Sequence, residues 1–522
     1  MLGAETVPVS VGRWKRLTKL SGAAAILLLI AGCVVLALNA HGPSPLLVEF
    51  AQALTAASLL LGVVGLAAGM EYLSRVRPGL VGPMFVLLII TLGVLGAHLY
   101  VINAPPVPAG QNCAIDKNGC VGDESYYVPE ALRILTGLPC STNGQTPNCH
   151  LEHPFLAKAL MAAGMAIFGV NDFGWRIFIV IFGTLCIPLL YVLVFMISGN
   201  RKLALFSCLL LAADTLFFTQ SSIAMLEVPS VFFALLAFIF YFWKGSFWKL
   251  DNQVAAGIFL GLSILCKETA VLLALALLSY HFYVSRHSIG LVVKGGLRIL
   301  LPTIVVFIVG LQIYASLFTT STTPTFIQEI QYILSYGSSL HGCDPNWIDP
   351  VLHRCPTPFD WLVFYAPSSW FSSTVTVTTT SGGVSVVQQY IGVAFYKMTN
   401  PIVVWLVFAW APIAVTMKVR KRPEGVPENR DDNAAMFMLF WFMWTWLPYV
   451  ALWSPLVDRT IYPFYMLSAM PALATGSAYF VTRDWFPSKM AIVYMVAAFG
   501  WFFLYFPVKD FLPVWIRIVL GR

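Results

Sequence analysis

Apolar residues fall in long unbroken stretches along most of the chain, separated by short polar turns and by two long polar intervals. Thirteen such stretches stand out, at Leu20–Ala40, Leu46–Met70, Leu80–Asn103, Phe173–Ile197, Leu203–Phe218, Met225–Phe242, Val254–Cys266, Thr269–Ser285, Ile299–Leu317, Pro401–Met417, Ala435–Leu452, Tyr462–Phe480 and Met490–Phe506. Most are long enough, at a rise of about 1.5 Å per residue, to cross a hydrocarbon core of about 30 Å as helices. The pattern predicts an all-α polytopic membrane protein of about thirteen transmembrane helices. Composition agrees: 58% of the 522 residues are hydrophobic and 11% charged, against about 25% charged in soluble domains. A water-soluble globule is excluded.

The formal net charge of +7 matters less than its placement. Basic clusters occur before the first stretch (Arg13, Lys15, Arg16, Lys19) and after the second (Arg75, Arg77), fourth (Arg201, Lys202), sixth (Lys244, Lys249), eighth (Arg286, Lys294, Arg298) and tenth (Lys418, Arg420, Lys421, Arg422). Under the positive-inside rule these ends are cytoplasmic. The excess is therefore a topology signal, which argues against nucleic acid as a partner. It places the amino terminus in the cytoplasm and the carboxyl terminus outside. The first apolar stretch is longer than the core of a usual signal peptide and has no evident cleavage site, so it is expected to stay in the membrane.

The same topology puts both long polar intervals, Ala104–Asp172 and Phe318–Asn400, on the outer face. Long loops on a rigid scaffold are where binding and chemistry concentrate. A glycan-decorated ectodomain is the alternative, but no N-x-[ST] acceptor site occurs in the chain. Six cysteines lie in these intervals, and an oxidising compartment favours the pairings 113–120, 140–149 and 343–355. Zinc held by Cys140, Cys149, His150 and His153 is the rival reading, weakened by the absence of a CxxC pair. Within the second interval, Thr325–Tyr336 reads as an interfacial helix and Ser372–Ser385, rich in Ser and Thr, as a flexible cover.

Two runs in the first interval carry candidate chemistry. Asp123-Glu124-Ser125-Tyr126-Tyr127-Val128-Pro129-Glu130 puts carboxylates at the membrane boundary, where they can stay ionised and accept a proton from a hydroxyl. An Asp-Glu pair is equally a helix-start signal. His153-Pro154-Phe155-Leu156-Ala157-Lys158 opens an apolar stretch too short to span, an interfacial helix in which Lys158 snorkels and His153 caps.

Together the two runs resemble the protein O-mannosyltransferase family, with its D-E-x-x-Y-V and H-P-x-L-A-K motifs in that order. Gln220-Ser221-Ser222-Ile223-Ala224-Met225-Leu226-Glu227 is similar to the family's Q-S-R-I-A-M-L-D stretch, Gly261–Thr269 to its G-L-x-x-x-x-K-x-T segment, and Arg459-Thr460-Ile461-Tyr462 to its R-x-x-Y segment. The resemblance runs from about Leu80 to near the carboxyl end. It implies the GT-C glycosyltransferase fold. Residues 1–78 would be two extra helices and 79–317 a catalytic module with outer loop 104–172. Residues 318–400 would then be the second outer loop and 401–522 the closing helices.

It further implies transfer of a sugar, mannose by resemblance, from a polyprenyl or dolichyl phosphate to a hydroxyl of a protein or glycolipid, with inversion and no obligatory metal. Asp123 is the expected base, with Glu124 beside it. Tyr127, His153, Lys158, Glu227, Lys267, Arg459 and Tyr462 are expected to bind substrate. Two departures stand out: Ser222 replaces an arginine and Glu227 replaces an aspartate, so Lys158, Lys267 or Arg459 would have to meet the donor phosphate. An aminoarabinose-transferase-like enzyme acting on lipid is the alternative within glycosyl transfer. A transporter or flippase is the alternative outside it, although no internal repeat supports one.

Overall fold

The computed structural model describes residues 81–105, 111–139, 151–244, 250–318, 325–363, 365–381, 384–419 and 429–509, with isolated positions between Arg16 and Ala31. The first two expected spans and the expected 140–149 pairing, with its zinc alternative, lie outside the described residues.

From the third stretch onward, the apolar pattern is helical. In chain order the helices are α1 (Val81–Val101), α2 (Cys113–Asp116), α3 (Glu124–Leu135), α4 (Leu156–Phe168), α5 (Asp172–Ser198), α6 (Arg201–Ala212), α7 (Thr215–Ser222), α8 (Glu227–Phe242), α9 (Asn252–Cys266), α10 (Val271–Ser285) and α11 (Ile289–Phe318). The second outer interval adds α12 (Phe326–Ser339), α13 (Asp360–Val363) and an antiparallel hairpin of β1 (Ser369–Ser381) and β2 (Val384–Tyr396). The chain closes with α14 (Pro401–Trp405), α15 (Val407–Val419), α16 (Arg430–Trp453), α17 (Met470–Val481) and α18 (Ser488–Leu504). Among the described residues, six helical runs are long and apolar enough to cross a membrane unaided, and shorter apolar helices pack among them. The protein is an integral, multi-pass membrane protein.

Local chemistry sets the starts. Asn171, Asn200, Asp251, Asn400 and Asn429 each accept a backbone N–H of the helix they precede, and Thr325 forms a reciprocal capping box with Gln328 at α12. In a lipid surround helices gain little from burying apolar area against each other, so close backbone approach and internal polar contacts take over. The contact of α4 with α5 is of this kind: a Cβ on Gly164 would collide with the carbonyl oxygen of Gly174.

The fifth expected span is not one continuous helix. The chain breaks after Ala212, and α6 and α7 meet at an angle of 64°. Asp214 causes the turn: its Oδ1 accepts from Phe217 N at 2.7 Å and its Oδ2 from Asn400 N at 2.8 Å. The Asn400 amide donates to Ala213 O and Ala498 O, both at 2.8 Å, so the freed carbonyls are satisfied inside the protein.

The two ends of the bundle differ. At one, Arg430 donates to Met196 O at 2.9 Å, Asn200 to Asp431 at 2.9 Å, and Arg483 pairs with Asp432 at 2.7 Å. The opposite end carries both long outer intervals. There Cys113–Cys120 and Cys343–Cys355 are disulfide-bonded. The tract read as a flexible cover is instead the β1–β2 hairpin, each strand 13 residues long. The Thr- and Val-rich composition favours extended backbone. The base of β2 is anchored by Ala394 N, which donates to Pro507 O at 2.9 Å.

Candidate active site

A cavity of about 950 Å³ opens at the end of the bundle that carries the outer intervals. It is walled by the start of α3, His153, the turn between α9 and α10, α12, the 344–347 turn and the 448–465 segment. Asp123, Tyr127, His153, Lys267, Arg459 and Tyr462, all singled out in the sequence, face it. Glu124, Lys158 and Glu227 are not on its wall.

Asp123 stands one residue before α3 yet makes no capping bond, so its carboxylate is left for the cavity. The turn that presents it requires Gly122, whose φ is +58° and whose missing Cβ leaves room for Trp370, at 2.6 Å from where a Cβ would sit. The Tyr127 hydroxyl reaches toward Asp123 Oδ2, 3.5 Å away. Burial raises the Asp123 carboxyl above the usual carboxylate range, and Glu227 adds to the rise, while Lys267, His153 and Tyr127 oppose it. Tyr127 is itself raised well above the ordinary phenol by burial and the nearby carboxylates, Asp123 foremost, so it remains a hydroxyl donor.

Beside this carboxylate is a cationic wall. Lys267, held at the end of α9 and 3% exposed, has its Nζ 3.3 Å from Glu227 Oε1 and 3.1 Å from His153 Nε2. His153 Nδ1 lies 2.9 Å from Glu268 Oε2. Lys267 is thus enclosed by Glu227 and His153 rather than solvated. Arg459 completes the wall: its Nε donates to Gly337 O at 2.8 Å, which anchors the guanidinium while leaving its terminal nitrogens without a partner among the described residues.

Three sequence expectations are corrected. The Glu124 carboxylate is fully buried and takes four hydrogen bonds, from Arg176 Nε (2.7 Å), Arg176 Nη2 (2.6 Å), Val121 N (2.9 Å) and Ala224 N (2.8 Å). It ties α3 to α5 and to the chain entering α8, with no room for substrate. Lys158 is equally sealed, donating to Glu130 Oε2 at 2.8 Å and to His153 O at 2.9 Å. It holds His153 in place and cannot meet a donor phosphate. Glu227 lies behind Lys267 rather than on the cavity surface. Where the family motif has arginine, Ser222 bonds the buried His98 ring at 2.9 Å, and the guanidinium next to Glu124 comes from Arg176.

Sequence reasoning missed Arg176, Asp344, Trp347 and Lys397. Asp344 follows Cys343 of a pairing read correctly, so position beside a crosslink was the available signal. Among the described residues no group of three or more His, Cys, Asp or Glu side chains is placed to hold a metal ion.

Residues 152–320 match the family described as dolichyl-phosphate-mannose-protein mannosyltransferase. Over that stretch the chain is similar to protein O-mannosyltransferases. A polyprenol-phosphate-mannose–protein mannosyltransferase of Corynebacterium glutamicum is 35% identical over 121 residues, which is 22% of this chain and 23% of the relative. The Mycobacterium tuberculosis protein of the same description is 33% identical over 117 residues, 22% of each chain. The aligned stretch thus spans under a quarter of the length of these curated relatives. In overall shape the chain resembles the S. cerevisiae protein O-mannosyltransferase Pmt1-Pmt2 complex bound to the sugar donor, with a TM-score of 0.60 at 12% identity, covering 84% of this chain and 90% of that one. The fold is that of GT-C glycosyltransferases.

Proposed function

We propose that the protein is a membrane glycosyltransferase that moves a mannosyl group from a polyprenyl phosphate to a hydroxyl of a protein Ser or Thr. One observation carries the reading: a desolvated carboxylate, Asp123, shares a cavity with a wall of Lys267, His153 and Arg459, and Pro448 of that cavity also lines an apolar groove. The groove, about 530 Å³, follows one face of α16 from Met436 to Ala451. A donor with its tail in the groove brings its phosphate to Arg459 and Lys267 and its sugar toward Asp123.

Asp123 takes the proton of the acceptor hydroxyl as that oxygen bonds to the anomeric carbon. The bond from that carbon to the phosphate oxygen breaks, the lipid phosphate leaves, and attack from the opposite side inverts the centre. Lys267 and Arg459 face the growing phosphate charge in a partly desolvated site, where fixed cations count most. No nucleotide fold is needed, because the lipid delivers the activated sugar. None of Arg201, Lys244, Arg286, Lys418 and Arg483 lines the cavity, which agrees with an outer-face site under the positive-inside rule.

The test is transfer from defined polyprenyl phosphate sugars to Ser- and Thr-containing peptides by the purified full chain in lipid nanodiscs. Mannosylated peptide is expected, and transport of lipid without covalent product would refute the reading.

A further inference from the structure

The amine of Lys397, at the foot of β2, is 6% exposed, and no described residue offers it a hydrogen-bond acceptor or an ion-pair partner. Its Nζ lies 3.3 Å from the centroid of the Trp347 ring, which lines the cavity. The backbone that presents it is pinned, since Lys397 N donates to Ser368 O at 2.9 Å and Tyr365 Oη donates to Lys397 O at 3.3 Å. Two carboxylates act on this amine, Asp123 and Asp344, both on the cavity wall. Asp344 accepts from the Tyr462 hydroxyl at 3.3 Å and follows Cys343 of the 343–355 disulfide.

The amine is stacked on the Trp347 ring, and it is the ring, with Asp344, that lines the cavity. The chemistry of a ligand there is constrained from both directions. An anion there is repelled by Asp344, a cation by Lys397, whereas a polyol both donates and accepts at every hydroxyl. The donor phosphate is assigned above to Arg459 and Lys267. We propose that Trp347 and Asp344 form the subsite for the sugar ring of the donor, with the Trp347 ring against the sugar, Asp344 accepting from a sugar hydroxyl, and Lys397 acting as a positioning residue that fixes the ring it stacks on. The assignment rests on the function proposed above and names the residues that read the sugar.

Binding of polyprenyl phosphate and of polyprenyl-phosphate-mannose to the full chain in nanodiscs separates sugar from phosphate recognition without any acceptor. Lys397→Met is expected to weaken the mannosyl lipid about 10- to 100-fold, and to leave polyprenyl phosphate within about twofold, since no phosphate contact is lost. Asp344→Asn should show the same selective loss, and it decides the matter if Lys397→Met lacks a cooperative thermal transition. Equal weakening of both lipids, or of neither, overturns the subsite. Failure of the unaltered protein to bind either lipid would instead sink the glycosyl-transfer reading.

Discussion

At the scale of single residues, the site depends on which carboxylates are free. Asp123 and Glu124 are adjacent in sequence, but one faces a cavity and the other is enclosed by four donors. Asp123→Asn removes the proposed base while keeping the shape, so turnover should fall about 10²- to 10⁴-fold with donor affinity little changed, as steady-state rates and direct binding would show. The pH profile follows from the same groups. As the proposed base Asp123 must be ionised, and burial raises its carboxyl, so activity should rise with pH on an acid limb above the ordinary aspartate range of about 4. Burial also pushes the Lys397 amine down to about 8, against the pull of Asp123 and Asp344. Its charge is lost above that pH, so affinity for the sugar lipid should drop there, and Lys397→Met should abolish this alkaline limb.

Much of this scale was legible in the chain. Motif order alone placed Asp123, Tyr127, His153, Lys267, Arg459 and Tyr462 on one cavity. It failed for Glu124 and Lys158 because their partners, Arg176 and Glu130, arrive from other turns or helices, and a motif does not say which neighbour faces it.

At the scale of elements, the start of α3 is fixed by contacts far away in sequence. Arg176→Met leaves the Glu124 carboxylate buried without its counter-ion, which should destabilise the fold by about 3–5 kcal/mol, measurable as an earlier thermal unfolding transition in nanodiscs. Glu124→Gln should cost less, and its folded fraction should keep most of its specific activity; a loss as deep as that of Asp123→Asn would return Glu124 to the chemistry. Gly122→Val forces a side chain into the left-handed turn and against Trp370. It should depress turnover while sparing the helical bundle, seen as unchanged helical circular dichroism. The helices themselves were readable because apolar length is a strong signal. The break between α6 and α7 was not, since Asp214 and Asn400 make it from 186 residues apart. The β1–β2 hairpin was hidden because a Ser- and Thr-rich tract suits an irregular loop as well as a strand whose partner lies beyond a turn.

At the scale of the whole molecule, the cavity stands at one end of the helical bundle and shares Pro448 with the apolar groove on α16. Filling the groove on α16, for example by Met443→Trp, should lower affinity for polyprenyl phosphate about tenfold, a loss of roughly 1.4 kcal/mol. The sugar subsite shares no lining residue with the groove and should stay intact. The groove has one more consequence. Among the described residues its lining comes from α16 alone, a face that would hold only the isoprene units nearest the phosphate. Donors with short and with long prenyl tails should therefore compete on nearly equal terms, and the length of the carrier is left to whatever the host membrane supplies.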